Sequence, residues 1–538
     1  MERENLISPD VTGPGDIGRI ALADSIRRSA RVRPDKTAVV DGALRKTYAE
    51  LDADVSRLAN ALLARNHPAG SRIATMCANS YALVVAMFGI QRAGLVWLPI
   101  NHNLRPDDVD YIFGHAEPVF AIVDEAIYAG PLGTPVDARI GDATIVPSAG
   151  HLTGGVGGRY TTLDAFVAGA SSEEPNVTIR DRDVAQIMYT SGTTGRPKGV
   201  MHTHLSVYLA LLGNAIEFET RASDVGNVML PLFHCAQHTL AAGLLVVGGT
   251  LVIMHSVDPA ELIETIANEK VTLALSLPPI YGGMLDHPKL ATNDLSSLRL
   301  CVYGMMQVPE PMLRRLVAEI CPRFQLGTGQ TEMYPVTLSF KPEDQLRKFG
   351  SYWGESGVVT ETAIMDDAGN LLPPGESGEI VHRGPNVMAG YFRDPEATEK
   401  SRAFGWHHTG DLGHFDADGT LVFTDRKKDM IKSGGENVAS IVVERALLAH
   451  PAVAAAAAIG LPHARWFEAV TAVVQLKPGA AATEEEILAH ARTRLSVHEV
   501  PKAVIFVETF PLTATGKTQK NIFRERYAGL YAQAPATV

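Results

Sequence analysis

The sequence predicts an α/β chain in several units, and three observations carry the prediction. Short apolar runs alternate with helical patterns through the first half, at a spacing that suits a largely parallel sheet. From about Thr360 to Thr424 the texture changes to short alternating runs with tight turns, Asp366-Asp367-Ala368-Gly369 and Asp418-Gly419 among them, which predicts an antiparallel β unit. Beyond Arg426 helix and strand mix in a last segment with its own small core. At 538 residues the chain is too long for one core, and it should hold roughly three or four domain-sized units.

The elements follow in order. Thr47-x-x-Glu50 is a capping box, and Leu51, Val55, Leu58 and Leu62 recur behind it at helical spacing. A short strand (Ile73 to Met76) precedes a helix from about Tyr81 to Ala93, stopped by Gly94. Then come a strand (Leu95 to Ile100), a helix from about Pro106 and a strand near Val119 to Val123. Between about Gly130 and Glu174 the chain is rich in Gly, Ser, Thr and Pro, which predicts an irregular connection. Val184 to Tyr189 is strand-like, and Thr203 to Ile216 reads as helix. A strand that enters a Gly-rich loop and leaves as a helix puts the loop at the carboxyl end of a sheet, where such folds bind ligands. The longest apolar run, Leu240 to Met254, is broken by Gly243, Gly248, Gly249 and Thr250 and is too short to span a bilayer. It reads as a buried helix end, a turn and a strand. Ala454 to Ala458 lies between Val453 and Ile459, which suits a buried strand.

Composition excludes several classes. With 46% hydrophobic and 20% charged residues the chain is ordinary globular protein, and a net charge of −12 argues against a nucleic-acid partner. Cys77, Cys235, Cys301 and Cys321 form no C-x-x-C pair and supply no metal framework, which suits a reducing compartment and a cytoplasmic location. Met1 to Asp16 resembles neither a signal nor a transit peptide, and no carrier domain is expected after Val538.

The stretch Tyr189-Thr190-Ser191-Gly192-Thr193-Thr194-Gly195-Arg196-Pro197-Lys198-Gly199 carries the densest chemistry. Hydroxyls donate, glycines let backbone N–H groups approach a ligand, and two cations supply charge, so it suits a polyphosphate such as that of ATP. Its spacing is not that of a Walker loop, and such stretches are also ordinary turns. Four further constellations follow. His234 ends Pro231-Leu232-Phe233-His234, where a lone histidine is either a core residue or a catalyst. Gly327-Thr328-Gly329-Gln330-Thr331-Glu332 puts a carboxylate that could reach Mg²⁺ behind a Gly-rich loop. His408-Thr409-Gly410-Asp411 offers a carboxylate to a ribose or a capped turn. The charged run Asp425 to Asp429, Lys432 with Ser433-Gly434-Gly435-Glu436-Asn437, and Thr513 to Lys517 read as solvated faces when taken alone.

Their order and spacing resemble the adenylate-forming superfamily, in particular its acyl- and aryl-CoA synthetases, over roughly Ala21 to Tyr527. The resemblance implies a large N-terminal domain (1–425) of two α/β subdomains plus a β-barrel, then a small mobile α+β C-terminal domain (426–538). It implies that Thr190, Ser191, Gly192, Thr193, Thr194 and Lys198 hold the ATP phosphates, with Glu332 on Mg²⁺ and Thr331 near the α-phosphate. Asp411 and Arg426 match ribose ligands, and Lys517 the lysine bridging the carboxylate and α-phosphate. Lys428 matches the hinge. Lys432 and the Ser433, Gly434, Gly435, Glu436 loop match the face that serves CoA in the second half-reaction. His234, Tyr303, Gly304, Met305, Met306, Gly327 and Gly329 match the acyl pocket, with His234 at its gate.

Three departures bear on substrate. Thr328 replaces the family's adenine-stacking aromatic, Met305 and Met306 stand where small residues are usual, and Val438-Ala439-Ser440 replaces a common Tyr-Pro. Two bulky, adaptable side chains argue against a long straight alkyl tunnel. The expected activity is ATP-dependent ligation of a medium-chain or aromatic acid to CoA, through an acyl-adenylate, by a protein without a membrane span, with a homodimer as the candidate assembly. The alternatives are transfer of the acyl group to an amine or a carrier-protein thiol, a luciferase-like oxygenase, or a nucleotide-binding protein without turnover.

Overall fold

The computed structural model describes residues 21–140, 143–146, 161–190, 196–304, 306–512 and 518–532. The chain divides into two compact units, one of Met1–Thr190, Pro197–Thr362 and His382–His407, the other of Ser191–Arg196, Ala363–Val381 and His408–Val538.

The larger unit holds two mostly parallel sheets. In the first, parallel strands run in the order Val184–Thr190, Val96–Pro99, Arg72–Met76, Phe120–Asp124, Ala143–Val146 and Thr161–Thr162. The second places Thr37–Asp41, Thr250–Ile253, Val225–Val228, Leu273–Ser276, Leu300–Tyr303 and Phe324–Thr328 side by side in parallel. Strands covered on both faces favour apolar side chains throughout, which is why Phe120–Asp124, Val96–Pro99, Thr250–Ile253 and Leu300–Tyr303 are mostly apolar and fully buried. Helices Tyr48–Leu63, Tyr81–Arg92, His204–Glu217 and Cys235–Val247 share one core, where Leu51, Val55, Leu58 and Leu62 meet Val84, Phe88, Leu211 and Leu245.

Local signals act as expected at the helix ends. The Thr47 hydroxyl accepts the Glu50 N–H at 3.2 Å, and the Glu50 carboxylate accepts the Thr47 N–H at 2.8 Å. Gly248, at φ +92°, ends Cys235–Val247 and turns the chain into Thr250–Ile253. Two expectations are corrected. The Gly-rich loop leaves as a strand, Lys198–Thr203, antiparallel to Val184–Thr190 with Thr190 opposite Lys198; the helix starts only at His204, behind a Thr203–Ser206 capping box. A six-residue strand polar at both ends shows little period of its own, and its partner defines it. Between Gly130 and Glu174, the described residues form helix Gly133–Arg139, strands Ala143–Val146 and Thr161–Thr162 and helix Leu163–Val167 rather than irregular chain; residues 141–142 and 147–160 of the expected connection lie outside the described residues.

Strands His407–Phe415 and Leu421–Arg426 pair antiparallel, with Gly378–Arg383 next in the sheet order, where the alternating texture predicts an antiparallel unit; residues 378–381 and 408–426 belong to the smaller unit, His382 and His407 to the larger. The last segment holds a hairpin, Val453–His463 against Phe467–Leu476, with Ala503–Phe506 parallel to its second arm and helices Ser440–Leu448, Glu484–Arg492 and Lys520–Tyr527. Ala457 and Ala458 are buried there on opposite faces, Ala458 in one core with Val443 and Leu447 of helix Ser440–Leu448 and Ala457 in another with Phe523 of helix Lys520–Tyr527. All four cysteines are buried, and no disulfide joins them. Among the described residues no helix is long and apolar enough to cross a membrane.

Candidate active site

In the larger unit, Lys198 and His202 occupy alternate positions of one strand and so share a face. The Lys198 ammonium lies 4.8 Å from the centre of the Tyr391 ring. The Tyr391 hydroxyl donates to Glu332 Oε1 at 3.0 Å. Burial and the neighbouring carboxylate push the Tyr391 phenol well above its ordinary range, so it stays a neutral donor. Glu332 belongs to the short turn Thr331–Met333, which is clamped through its backbone. His202 Nε2 donates to the Thr331 carbonyl at 2.7 Å, the Met388 N–H to the Glu332 carbonyl at 2.7 Å, and Asn386 Nδ2 to the Met333 carbonyl at 2.7 Å. Full burial lowers His202 to about 4, which keeps it neutral. Cys235 Sγ lies 3.4 Å from Thr331 Oγ1, and His234 caps the helix that carries Cys235, its Nδ1 accepting the Ala236 N–H at 3.4 Å.

Gly304 and Gly327 lie at the carboxyl ends of adjacent parallel strands. A Cβ on Gly304 would sit 3.0 Å from the Gly327 carbonyl, and one on Gly327 would press on Phe218 and Val336, both at 3.3 Å. A Cβ on Gly329 would meet the Val336 nitrogen at 2.7 Å. These glycines are therefore required by close packing as well as by any ligand. Tyr303 is 1% exposed, packs in the apolar core and donates its hydroxyl to Gln345 at 2.7 Å. Met306 is 51% exposed. The Thr328 hydroxyl oxygen is buried without a partner among the described residues. Ser191, Gly192, Thr193, Thr194, Met305 and Lys517 lie outside the described residues.

In the smaller unit, Asp411 and Arg426 face each other across an antiparallel pair, with Arg426 Nε 3.7 Å from Asp411 Oδ1. The Asp411 N–H donates to Thr409 Oγ1 at 3.0 Å, and Gly410 takes φ +73°, a turn that a side chain would strain. Behind this turn Glu379 accepts from the Gly410 N–H at 3.0 Å and meets His408 at 3.2 Å and Lys427 at 3.1 Å. Burial raises the Glu379 carboxyl, but these donors outweigh it and hold it below its ordinary value. Lys428 and Lys432 are exposed. Lys432 lies on Ile431–Ser433, whose hairpin to Glu436–Val438 turns on Gly434 and Gly435 at φ +63° and +90°, as a two-residue primed turn requires. Ser433 is buried, while Gly434, Gly435 and Glu436 are exposed.

The structure thus brings Lys198, Thr190, Thr331 and Glu332 into one unit, and Asp411, Arg426, Lys428 and Lys432 into the other. Sequence reasoning missed His202, Asn386 and Tyr391. None of the three carries a usable signal: His202 shares a face with Lys198 only once the strand is known, and that strand is defined by its partner.

Comparison with known proteins agrees with this arrangement. Residues 26–392 match the AMP-binding enzyme family and residues 442–517 its C-terminal domain. A feruloyl-CoA synthase from an Amycolatopsis species is 36% identical over 93% of this chain and 98% of its own length. A long-chain-fatty-acid–CoA ligase from Mycobacterium tuberculosis is 34% identical over 94% of this chain and 98% of its own. The crystal structure of ATP-bound MatB from Rhodopseudomonas palustris superposes with a TM-score of 0.83 at 29% identity, covering 95% of this chain and 99% of that one. The chain belongs to the AMP-binding enzyme family, in the acyl- and aryl-CoA synthetase branch of the adenylate-forming enzymes. The reaction of that branch is ATP-dependent ligation of a carboxylic acid to CoA.

Proposed function

We propose that this chain joins a medium-chain or aromatic carboxylic acid to CoA in two half-reactions. The acid's carboxylate attacks the α-phosphorus of ATP, forming the acyl-adenylate as pyrophosphate leaves. The CoA thiol then attacks the acyl carbon, and AMP departs with the C–O bond electrons. One observation carries the reading: an ammonium, Lys198, at the outgoing end of the Gly-rich loop is held one tyrosine away from a carboxylate, Glu332. An anionic nucleophile approaching an anionic phosphate needs cations and donors fixed where charge accumulates.

Thr190, Ser191, Gly192, Thr193, Thr194 and Lys198 would bind the β- and γ-phosphates, with Thr331 beside the α-phosphate and Thr328 near the base. Glu332 fits Mg²⁺, because among the described residues its carboxylate accepts from one neutral hydroxyl, that of Tyr391, and keeps lone pairs for a hard cation. Mg²⁺ bound with ATP would neutralise phosphate charge. Among the described residues no cluster of three His, Cys, Asp or Glu side chains could hold a metal unaided, which suits an ion shared with substrate phosphates. Asp411 accepts the ribose hydroxyls, and Arg426 holds Asp411 in place.

His234 gates a pocket walled by Gly304, Met305, Met306, Gly327 and Gly329, with Tyr303 supporting it from the core. Apolar Phe218 and Val336 against Gly327 favour an acid with an aromatic or moderately long apolar tail. The part 426–538 turns about Lys428 against 1–425, exchanging Lys517 for Lys432 and the Ser433-Gly434-Gly435-Glu436 loop between half-reactions. We take the protein to be a cytoplasmic homodimer, which light scattering of the purified chain checks.

The test is pyrophosphate release with ATP, Mg²⁺ and a panel of aliphatic and aromatic acids, with and without CoA, and mass spectrometry of the products. The expected result is turnover that needs CoA and yields acyl-CoA. Sustained pyrophosphate release without any thioester would redirect the second step to an amine or a carrier protein. Lys517→Ala should block adenylate formation yet still convert presynthesised acyl-adenylate to thioester.

A further inference from the structure

Tyr391 stands between the two charged groups of the larger unit's site, and we infer that it is a positioning residue that keeps Lys198 and Glu332 from closing on each other before the nucleotide arrives. The inference rests on the nucleotide-binding reading above. The ring faces the Lys198 ammonium at 4.8 Å and the hydroxyl reaches Glu332 Oε1 at 3.0 Å, so one side chain contacts both charges. Among the described residues no ion pair joins Lys198 to Glu332, and none takes up either group.

Both groups are partly buried and both touch the same tyrosine. Such groups attract strongly where water is partly excluded, and an ion pair between them would have to break each time a polyphosphate bound. Tyr391 replaces it with weaker holds. The ring quadrupole attracts the ammonium without neutralising it. The hydroxyl donates to the carboxylate and leaves its charge intact. Both groups are oriented, and both remain available.

Tyr391 is itself fixed by the strand that carries Lys198. Gly390 and Tyr391 pair with Met201 and Val200, the Phe392 N–H donates to the Gly199 carbonyl at 2.7 Å, and the Tyr391 N–H donates to Thr398 Oγ1 at 2.9 Å. Gly390 takes φ +146°, and a Cβ there would lie 3.0 Å from the methyl of Thr398 on helix Pro395–Lys400, so glycine before Tyr391 lets this helix pack against the turn that holds the tyrosine. The spacer therefore moves with the loop strand.

The experiment is a double-variant cycle read by calorimetric binding of ATP to the full chain in EDTA, so that neither metal nor turnover enters. Tyr391→Ala should let the pair close and weaken ATP binding about tenfold. Glu332→Gln should then recover at least about fivefold more affinity in the Tyr391→Ala background than in the unmodified protein, because only there does it free a captured lysine. Equal gains in both backgrounds, or unchanged affinity in Tyr391→Ala, would overturn the spacer role; a merely structural tyrosine gives equal gains. If Tyr391→Ala does not fold, Tyr391→Thr, a better strand former, carries the same comparison. Failure of the unmodified chain to bind ATP overturns the nucleotide reading, and the inference with it.

Discussion

The Asp411–Arg426 pair and the Lys198–Tyr391–Glu332 cluster are built in opposite ways. Asp411 and Arg426 belong to adjacent strands whose ladder also pairs Phe415 with Leu421 around one short turn, so local register alone puts them face to face. Lys198, Glu332 and Tyr391 come from three segments far apart in the chain, and His202, Asn386 and the Met388 N–H clamp the turn that carries Glu332. A ladder that is specified locally tolerates the loss of one side chain. A cluster made by convergence loses several alignments together, so the larger effects should fall on the larger unit.

The sharpest test of that difference is a pair of substitutions. Glu332→Gln should slow acyl-adenylate formation about 10²- to 10³-fold, the cost of removing one group aimed at developing charge. Asp411→Asn should reduce kcat/KM for ATP about tenfold, mainly through KM, because the strand pair remains and one charged hydrogen-bond acceptor is weakened. Pyrophosphate-release kinetics compare the two, and equal losses would erase the distinction.

Next in size is His202→Leu. It leaves the part-buried Thr331 carbonyl without its donor and should cost about 1–3 kcal/mol in a urea melt, with His202→Gln recovering part of the loss. Acidification should then separate the units. Burial lowers His202 from 6.5 to about 4, and His238 and His382 from 6.5 to about 3, all in the larger unit. The unfolded chain binds these protons first, so their contribution is complete above about pH 6.5 and is lost as pH falls from 6.5 towards 4. In the smaller unit, the Glu379 and Asp429 carboxyls are held below their ordinary values of 4.5 and 3.8 by His408 and Lys427, and by Lys520 and Arg524. Their contribution is present above those values and is lost only below them. Hydrogen exchange at stepped pH should show protection falling first around His202 and later around Glu379; simultaneous loss would refute the ordering. The smallest effect expected is Thr47→Ala, which removes a helix cap at about 1 kcal/mol and should leave ATP binding unchanged.

Much of this architecture was readable before any coordinates. The Thr47–Glu50 box starts its helix, and Tyr81–Arg92, Pro106–Ala116 and Phe120–Asp124 fall within a residue or so of the elements their apolar periods predict. The strand Lys198–Thr203 was not readable, because six residues with polar ends acquire their identity from pairing with Val184–Thr190. The same holds for Ala143–Val146, four residues that become a strand by pairing between Phe120–Asp124 and Thr161–Thr162.

The sequence by itself determined the alternating elements, the apolar cores and the order of the charged motifs, since each follows from periodicity or from contacts between near neighbours. Only the tertiary structure decided that Tyr391 lies between Lys198 and Glu332, and that His202 holds the Thr331 carbonyl. The physical reason is that these contacts join segments remote in the chain. Their geometry is set by how strands and turns pack, and no local spacing of residues encodes it.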